Sequence, residues 1–165
     1  MQEPSPYDSF AEDYDRFVNW PGRLGFELPF IQPVLGSGQQ VLDAACATGQ
    51  HALALEERGY RASGADSSPA MITRARQNAA QRGLEVRFET ASFSELPQVF
   101  GQDSFDAVLC LGNSLPHVLD QAGLMASLQA FAAVLRPGGL PPIQNRDFDQ
   151  GLGRHARWVE PQEAR

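Results

Sequence analysis

The chain has 165 residues, 42% of them hydrophobic, which is enough for one domain with a buried core. Its 20 acidic and 13 basic residues give a formal net charge of -7, and every basic residue is an arginine because lysine is absent. This acidic balance, without any run of basic residues, argues against nucleic acid and against an anionic membrane surface as partners.

The two cysteines, Cys46 and Cys110, are too few for a disulfide framework and are expected to be buried thiols of a cytoplasmic protein. No apolar run reaches the about 18 residues of a membrane span. The N-terminus shows no basic segment followed by an apolar one, so no signal peptide is predicted. No metal site is predicted, and the oligomeric state is left open.

The N-terminal part, residues 1–38, is predicted to form a helical cap. Residues 6–19 place aromatic side chains at helical spacing with acids between them, which is typical of an amphipathic helix. The segment Trp20-Pro21-Gly22 is expected to break this helix. A second, apolar helix is then predicted over residues 23–35.

Residues 39–150 alternate short apolar strands with helices, and residues 151–165 are expected to be a polar tail. Strands are predicted over 40–45, 61–66, 84–90, 105–111 and 140–145, and helices over 50–58, 69–82 and 121–135. Ser68-Pro69 is a favourable helix start, and Gly83 is a favourable left-handed helix end. Arg136-Pro137-Gly138-Gly139 is expected to stop the last helix. Such alternation predicts an α/β domain with a parallel sheet, helices on both faces and ligands at the carboxyl ends of the strands.

The last predicted strand contains Pro141-Pro142. Proline has no N–H to donate to a strand ladder, so this strand is expected to be short, at an edge or distorted.

The most informative segment runs from Val41 to Gly49 and is followed by Asp66. A strand, a loop of small residues, a helix and a second strand ending in an acid are how α/β proteins build a nucleoside pocket. A dinucleotide loop needs several glycines against a pyrophosphate, whereas this loop has one, and Asp43 precedes it. A carboxylate there would repel a pyrophosphate but suits an ammonium group. S-adenosylmethionine carries an ammonium group, a sulfonium and a ribose, and it has no phosphate.

Four motifs in order make the sequence resemble the class I S-adenosylmethionine-dependent methyltransferases: residues 41–49, 64–68 followed by Met71, 105–109, and 135–139. Within that class the chain looks closest to the glycine/sarcosine N-methyltransferase-like group, through residues 110–117 and 145–149. The resemblance implies a Rossmann-like, doubly wound α/β fold with S-adenosyl-L-methionine as cofactor. It also implies methyl transfer to a small-molecule acceptor, an amine bearing a carboxylate.

The residues and the resemblance together assign a candidate site. The cofactor set is Arg23, Asp43, Ala45, Gly49, Asp66, Ser67, Met71, Ser92, Phe93 and Leu111. Asp66 is expected to bind the ribose hydroxyls, and the resemblance implies that Arg23 binds the cofactor carboxylate. It also implies that Arg146 binds the substrate carboxylate, with Asn113 and His117 lining the acceptor side as the catalytic candidates. Tyr14 is assigned to the substrate side, with core packing as its alternative.

The chain departs from the family pattern in two places. Ala47 stands where a glycine is usual. Members of the group also continue beyond the length of this chain, so the C-terminal strands of the usual seven-stranded sheet are expected to be missing. Three alternatives stay open: oxygen or carbon methylation of another small molecule, methylation of RNA or protein, which the acidic charge disfavours, and a truncated, inactive cofactor-binding module.

Overall fold

The computed structural model describes residues 10–36 and 39–147, and the statements below refer to these residues. The helices are α1 (Ala11–Phe17), α2 (Trp20–Leu35), α3 (Gln50–Glu56), α4 (Pro69–Arg82), α5 (Leu96–Phe100) and α6 (Gln121–Val134). The strands are β1 (Gln40–Asp43), β2 (Arg61–Asp66), β3 (Arg87–Thr90), β4 (Phe105–Leu109) and β5 (Leu135–Leu140). Residues 6–9 of the first predicted helix and the predicted tail over 151–165 lie outside the described residues.

The five strands form one parallel sheet in the order β3-β2-β1-β4-β5, which confirms the predicted Rossmann-like α/β fold. The chain winds outward from β1 in both directions, first to β2 and β3 and then to β4 and β5. The carboxyl ends of β1 and β4 therefore flank the point where the strand order reverses, and this is where open α/β sheets bind ligands.

The core lies on both faces of the sheet. Val41 and Leu42 of β1 are fully buried and, as neighbours in a strand, point to opposite faces. Val41 packs in a cluster that includes Leu53 of α3, while Leu42 packs in a cluster that includes Phe131 of α6. Burial on both faces explains why two adjacent residues of β1, Val41 and Leu42, are both apolar rather than alternating with polar ones.

Helix α1 ends at Phe17 and α2 begins at Trp20, so the predicted break between two helices is present at residues 18–19, and its predicted position at Trp20-Pro21-Gly22 is wrong. The Asn19 side chain accepts a hydrogen bond from the N–H of Gly22 at 3.2 Å and caps the helix. The N–H groups of the first helical turn have no carbonyl partner within the helix. Proline has no N–H, so Pro21 fits this position without loss of a hydrogen bond. The residues interpreted as a breaker are therefore the helix start. The predicted start of α4 is confirmed, because the Ser68 hydroxyl accepts from the N–H of Met71.

Strand β5 also differs from its prediction over 140–145. The Arg136-Pro137-Gly138-Gly139 segment follows the end of α6, as predicted, but β5 already starts at Leu135 and runs through this segment. Its register against β4 shifts, from Phe105 opposite Leu135 to Ala107 opposite Leu140. Pairing is interrupted after Leu140 and resumes at Ile143, which forms a bridge with Cys110. The expectation of a distorted strand at the edge of the sheet is thus confirmed.

The segment between β3 and β4 holds a helical element that the sequence analysis did not predict. A 3-10 turn over Phe93–Glu95 leads directly into α5. Its start is a capping box in which the N–H and the hydroxyl of Ser92 both donate to the Glu95 carboxylate. The Ser-x-x-Glu spacing is the sequence signal for this feature. None of the described helices is both long and apolar enough to cross a bilayer.

Candidate functional site

A cavity of about 430 Å³ opens at the carboxyl ends of the strands. Its walls come from α1, α2, the beginning of α3 and the segments that follow β1, β2, β3 and β4. Residues of the predicted site that line it are Tyr14, Arg23, Ala45, Asp66, Ser67, Met71, Ser92, Phe93, Leu111 and His117. Lining residues that the sequence analysis did not select are Trp20, Ala44, Cys46, Ala47, His51, Ala91, Gly112, Ser114 and Val118.

Asp66, at the end of β2, joins the loop after β1 to the start of α4. Its Oδ2 accepts a hydrogen bond from the N–H of Ala47 at 2.9 Å, and its Oδ1 accepts from the N–H of Ser68 at 3.0 Å. These backbone contacts fix the orientation of the carboxylate at the cavity wall. An ionised carboxylate has about four acceptor positions, so it can also accept from a diol while both backbone bonds remain.

Asp43, at the end of β1, is a buried acid directly before the lining residues Ala44 and Ala45. It is 1% exposed, and its Oδ1 has only a long contact of 3.4 Å to the N–H of Ala45. Its Oδ2 has no hydrogen-bond partner among the described residues. Burial raises the pKa of Asp43 to about 6, and the charge of Asp66 adds to this effect. Buried carboxylates are normally paired, so this oxygen is the feature of the site that points most directly to a cationic ligand group.

Ala47 adopts the left-handed backbone conformation, with φ of 47°. This conformation costs a residue with a Cβ roughly 1–2 kcal/mol, and glycine avoids that cost. The departure from the family pattern at this position is therefore a source of backbone strain in the loop that lines the cavity.

We expect Ala47→Gly to increase the free energy of unfolding by up to about 1 kcal/mol, because relief of strain exceeds the added freedom of glycine in the unfolded chain. Denaturant titration measures the change. The matched control is Ala45→Gly in the same loop, where φ is not positive and only the entropic loss applies. Equal destabilisation by both substitutions would contradict this explanation.

Gly49, predicted as a cofactor contact, does not line the cavity. It is the N-cap of α3 with φ of 81°, and a Cβ on it would come within 2.7 Å of the Phe88 ring. The structure thus gives Gly49 a packing requirement on the side of the loop that faces α4 and β3.

Asn113 and Arg146 also lie outside the cavity lining, but the structure brings them together. Asn113 has φ of 65°, its N–H donates to the carbonyl of Gln144, and its Oδ1 accepts from the N–H of Arg146 at 3.0 Å. Asn113 therefore joins the loop after β4 to the segment after β5. The Arg146 side chain is exposed. Their predicted roles toward a substrate remain predictions.

Two apolar side chains, Met71 and Phe93, line the cavity. Met71 is 1% exposed in the first turn of α4, and Phe93 packs edge-to-face on Phe131 at 5.3 Å between ring centroids. Together they form an apolar wall next to Asp66 and Ser67. A flat aromatic base fits such a wall, next to the carboxylate that can accept from a ribose.

Asp15 of α1, which the sequence analysis did not select, anchors the N-terminal helix to the core. Its carboxylate accepts hydrogen bonds from the side chains of Trp20, Thr48, Gln50, Arg74 and Asn78. Burial raises the pKa of Asp15, but the hydrogen bond from Thr48 and those from its other donors outweigh burial and lower it below the usual range. This anchor holds Tyr14, the neighbouring residue, at the cavity wall.

A second carboxylate that was not predicted, Glu27 of α2, links two residues of the cavity wall, Arg23 and His51. It accepts from Arg23, from His51 at 2.6 Å and from Gln144 at 3.0 Å. Arg23 and His51 line the cavity, whereas Glu27 does not. The i,i+4 spacing of Arg23 and Glu27 is a local pattern for an ion pair on a helix, but no local pattern indicates His51 and Gln144, which are 24 and 117 residues away from Glu27 along the chain.

Comparison with known proteins identifies the fold and the family. The methyltransferase-domain family model matches residues 41–139. Among curated relatives, the glycine/sarcosine N-methyltransferase of Parasynechococcus marenigrum (strain WH8102) is 34% identical over 148 residues, which are 88% of this chain and 52% of the relative. The glycine N-methyltransferase of Rattus norvegicus is 37% identical over 120 residues, 67% of this chain and 41% of the relative.

Among solved structures, the PH0226 protein from Pyrococcus horikoshii OT3 superposes with a TM-score of 0.80 at 26% identity, covering 93% of this chain and 71% of that one. The chain spans about half the length of the curated relatives it matches. Because the family model covers more than half of the chain and the sheet has the expected parallel order, the chain belongs to the methyltransferase-domain family, and its curated relatives make it similar to glycine N-methyltransferases.

Proposed function

We propose that this chain carries the cofactor site of a cytoplasmic S-adenosylmethionine-dependent N-methyltransferase. The proposed acceptor is a small amine that bears a carboxylate, such as glycine or sarcosine. The observation that carries the proposal is the Asp43 carboxylate, which does not itself line the cavity but directly precedes the lining residues Ala44 and Ala45 and has one buried oxygen with no partner among the described residues. A ligand with an ammonium group and no phosphate suits this oxygen, and S-adenosylmethionine is such a ligand.

The other cavity residues fit the remaining parts of the same cofactor. Asp66 suits the ribose hydroxyls, and Met71 with Phe93 suits the adenine. Arg23 suits the cofactor carboxylate, since a guanidinium pairs with a carboxylate through charge-assisted hydrogen bonds. When bound, S-adenosylmethionine supplies a methyl group that its sulfonium has already activated.

With an activated donor, the work of the protein is to hold the two reactants in place. Tyr14 and His117 lie on the cavity wall and would bound the acceptor side. An amine can lose its proton to water before it binds, so the proposal assigns no general base. Asn113 holds the backbone N–H of Arg146 next to the loop after β4, and the proposal assigns the exposed Arg146 guanidinium to the acceptor carboxylate.

A second candidate is a cofactor-binding module without methyl-transfer activity. Two observations favour it: Arg146 is exposed and does not line the cavity, and Ala47 strains the cofactor loop. The two candidates share the cofactor site and differ in the acceptor site.

Two measurements test the proposal in sequence. Calorimetric titration with S-adenosylmethionine is expected to show one binding site, and absence of binding even for Ala47→Gly would refute both candidates. A methyl-donor consumption assay with glycine, sarcosine and dimethylglycine then separates them. Turnover that Arg146→Met greatly reduces supports the carboxylated acceptor, whereas binding without turnover of any carboxylated amine supports the inactive module.

The pH dependence of cofactor binding is expected to report the ionisation of Asp43. Only the ionised carboxylate can pair with an ammonium group, and the pKa of Asp43 is raised to about 6. The dissociation constant for S-adenosylmethionine should therefore be nearly constant around pH 7 and rise toward about tenfold per pH unit below about pH 6. Calorimetry between pH 5 and 7 measures it.

The control for this profile is Asp43→Asn, which should bind the cofactor weakly and without the step near pH 6. The free energy of unfolding of the cofactor-free protein should change with pH in the opposite direction to cofactor affinity. A carboxyl group whose pKa is raised by folding binds its proton more tightly in the folded state, so the contribution of Asp43 to stability falls as the pH rises from about 4 through 6. A flat binding profile for the parent protein would contradict the assignment of Asp43 to the ammonium group.

A further inference from the structure

The carboxylate of Glu27 lies behind the cavity wall and is 9% exposed. Both of its oxygens contact Nε of Arg23, at 3.2 and 3.1 Å. Its Oε2 also contacts Nε2 of His51 at 2.6 Å, and its Oε1 accepts from the Gln144 amide at 3.0 Å. Glu27 thus binds three side chains that belong to different parts of the chain.

Three residues, Glu27, Trp20 and Gly112, contact the guanidinium of Arg23. Nε is bonded to Glu27, the guanidinium lies over the Trp20 ring at 5.3 Å from its centroid, and Nη2 lies against Gly112. A Cβ on Gly112 would come within 2.7 Å of Nη2. Because Glu27 takes the Nε edge, the Nη nitrogens are the donors that Arg23 can present to a ligand in the cavity.

His51 and Gln144 in turn hold Glu27. An ionised carboxylate only accepts hydrogen bonds, so Nε2 of His51 carries the proton and donates. The His51 ring also packs edge-to-face on Trp20 at 5.6 Å between centroids. Gln144 donates to Glu27 and accepts from the N–H of Gly112 at 2.9 Å, which ties Glu27 to the backbone that Nη2 contacts.

We propose that Glu27 is a positioning residue that, held by His51 and Gln144, fixes the Arg23 guanidinium so that its Nη nitrogens bind the carboxylate of the cofactor. The proposal rests on the proposed function, because it takes S-adenosylmethionine as the ligand of the cavity. It adds Glu27 and His51 as determinants of specificity for the amino-acid end of that ligand.

The charge state of Glu27 supports this role. Burial raises the pKa of Glu27, but the hydrogen bond from His51 and the charge of Arg23 outweigh burial and lower it to about 2. Glu27 is therefore ionised throughout the neutral range and keeps its charge-assisted bond to Nε of Arg23.

The test compares two ligands that differ only in the carboxylate: S-adenosylmethionine and decarboxylated S-adenosylmethionine, which keeps the amine, sulfonium, ribose and adenine. Calorimetry gives the ratio of their dissociation constants for each variant. Arg23→Met, which removes the guanidinium, is expected to abolish the preference for the carboxylated ligand. Glu27→Gln is expected to reduce that preference about tenfold while changing the affinity for the decarboxylated ligand less than about twofold.

His51 provides a rescue experiment that does not change Glu27. His51→Leu removes the donor to Glu27 and is expected to reduce the preference severalfold. His51→Gln offers an amide donor in its place and should keep most of the preference. The control is Glu57→Gln, which removes a surface carboxylate that pairs with Arg82 and should leave both affinities unchanged.

The outcomes separate the possible failures. If Glu27→Gln weakens both ligands by the same factor, Glu27 has only a structural role and the proposal is wrong. If a thermal melt shows that Glu27→Gln does not fold, the His51 variants provide the test instead. Equal ratios of the two dissociation constants for His51→Leu and His51→Gln would then overturn the proposal. If the parent protein binds neither ligand, the proposed function itself fails. If the parent binds both ligands equally, the cofactor site stands but the role of Arg23 is wrong.

Discussion

Asp66→Ala is expected to weaken S-adenosylmethionine binding at least about 100-fold, which corresponds to about 3 kcal/mol. The carboxylate would accept hydrogen bonds from two ribose hydroxyls, and bonds to a charged acceptor contribute about 1.5–3 kcal/mol each. The substitution also releases the N–H groups of Ala47 and Ser68, which Asp66 now holds. Calorimetric titration measures the loss of affinity, and a thermal melt establishes that the variant is folded.

The control for this experiment is Glu85→Gln, which removes one negative charge from an exposed position before β3. It matches the change in net charge and should leave the dissociation constant within about twofold of the parent value. A folded Asp66→Ala variant that binds the cofactor as tightly as the parent protein would refute the assignment of Asp66 to the ribose.

Asp15→Asn is expected to have the largest effect on stability, lowering the free energy of unfolding by about 3 kcal/mol. The asparagine side chain has one acceptor oxygen, and its amide group would face donors such as Arg74 and Asn78. Removing the charge also leaves Arg74 without its carboxylate partner. We expect the melting temperature to fall by about 6–12 °C, since 1 kcal/mol shifts it by about 2–4 °C in a domain of this size.

Asp13→Asn in the same helix is the matched control. Asp13 is exposed and, among the described residues, its ion pair is with the exposed Arg16 at 3.4 Å, so its replacement should change stability by less than about 0.5 kcal/mol. The loss of stability caused by Asp15→Asn should also depend on pH. The lowered pKa of Asp15 means that its contribution is fully present above about pH 4 and is lost as the pH falls below that value. Equal, small effects of both substitutions would show that Asp15 does not anchor α1.

Much of the fold could be predicted because its determinants are local. The adjacent apolar residues Val41 and Leu42 of β1 reflect burial on both faces of the sheet, and the caps at Ser68 and Gly83 mark the ends of α4 through bonds to nearby residues. The predictions failed where one local pattern has two interpretations. Trp20-Pro21-Gly22 resembles a helix break and is a helix start, because the Asn19 side chain caps it. The Pro-Gly-Gly segment follows the end of α6 as predicted, but it also belongs to β5, whose start was predicted only at residue 140, because pairing with β4 tolerates a shift in register.

Most of the predicted site residues line the cavity, because their position next to a strand end can be predicted from the local sequence. Asp66 and Ser67 directly follow the second strand, Leu111 closely follows the fourth, and the carboxyl ends of parallel strands meet at one edge of a sheet. Gly49 and Asn113 follow strands as well and yet do not line the cavity. Sequence position brings a residue to this edge, but the backbone conformation there decides which way it faces.

The sequence by itself determined the parallel sheet and the edge of the sheet where the cavity lies, and it predicts Asp43 and Asp66 as the acids for an ammonium group and a ribose. These features depend on strand periodicity and on residues close together in the chain. Only the tertiary structure decided how the cavity walls are held, through Asp15 and Glu27. Each of these carboxylates accepts hydrogen bonds from residues in distant parts of the chain. A contact between distant residues leaves no pattern in the local sequence around either residue. The positions of Tyr14 and Arg23 at the cavity wall depend on those contacts.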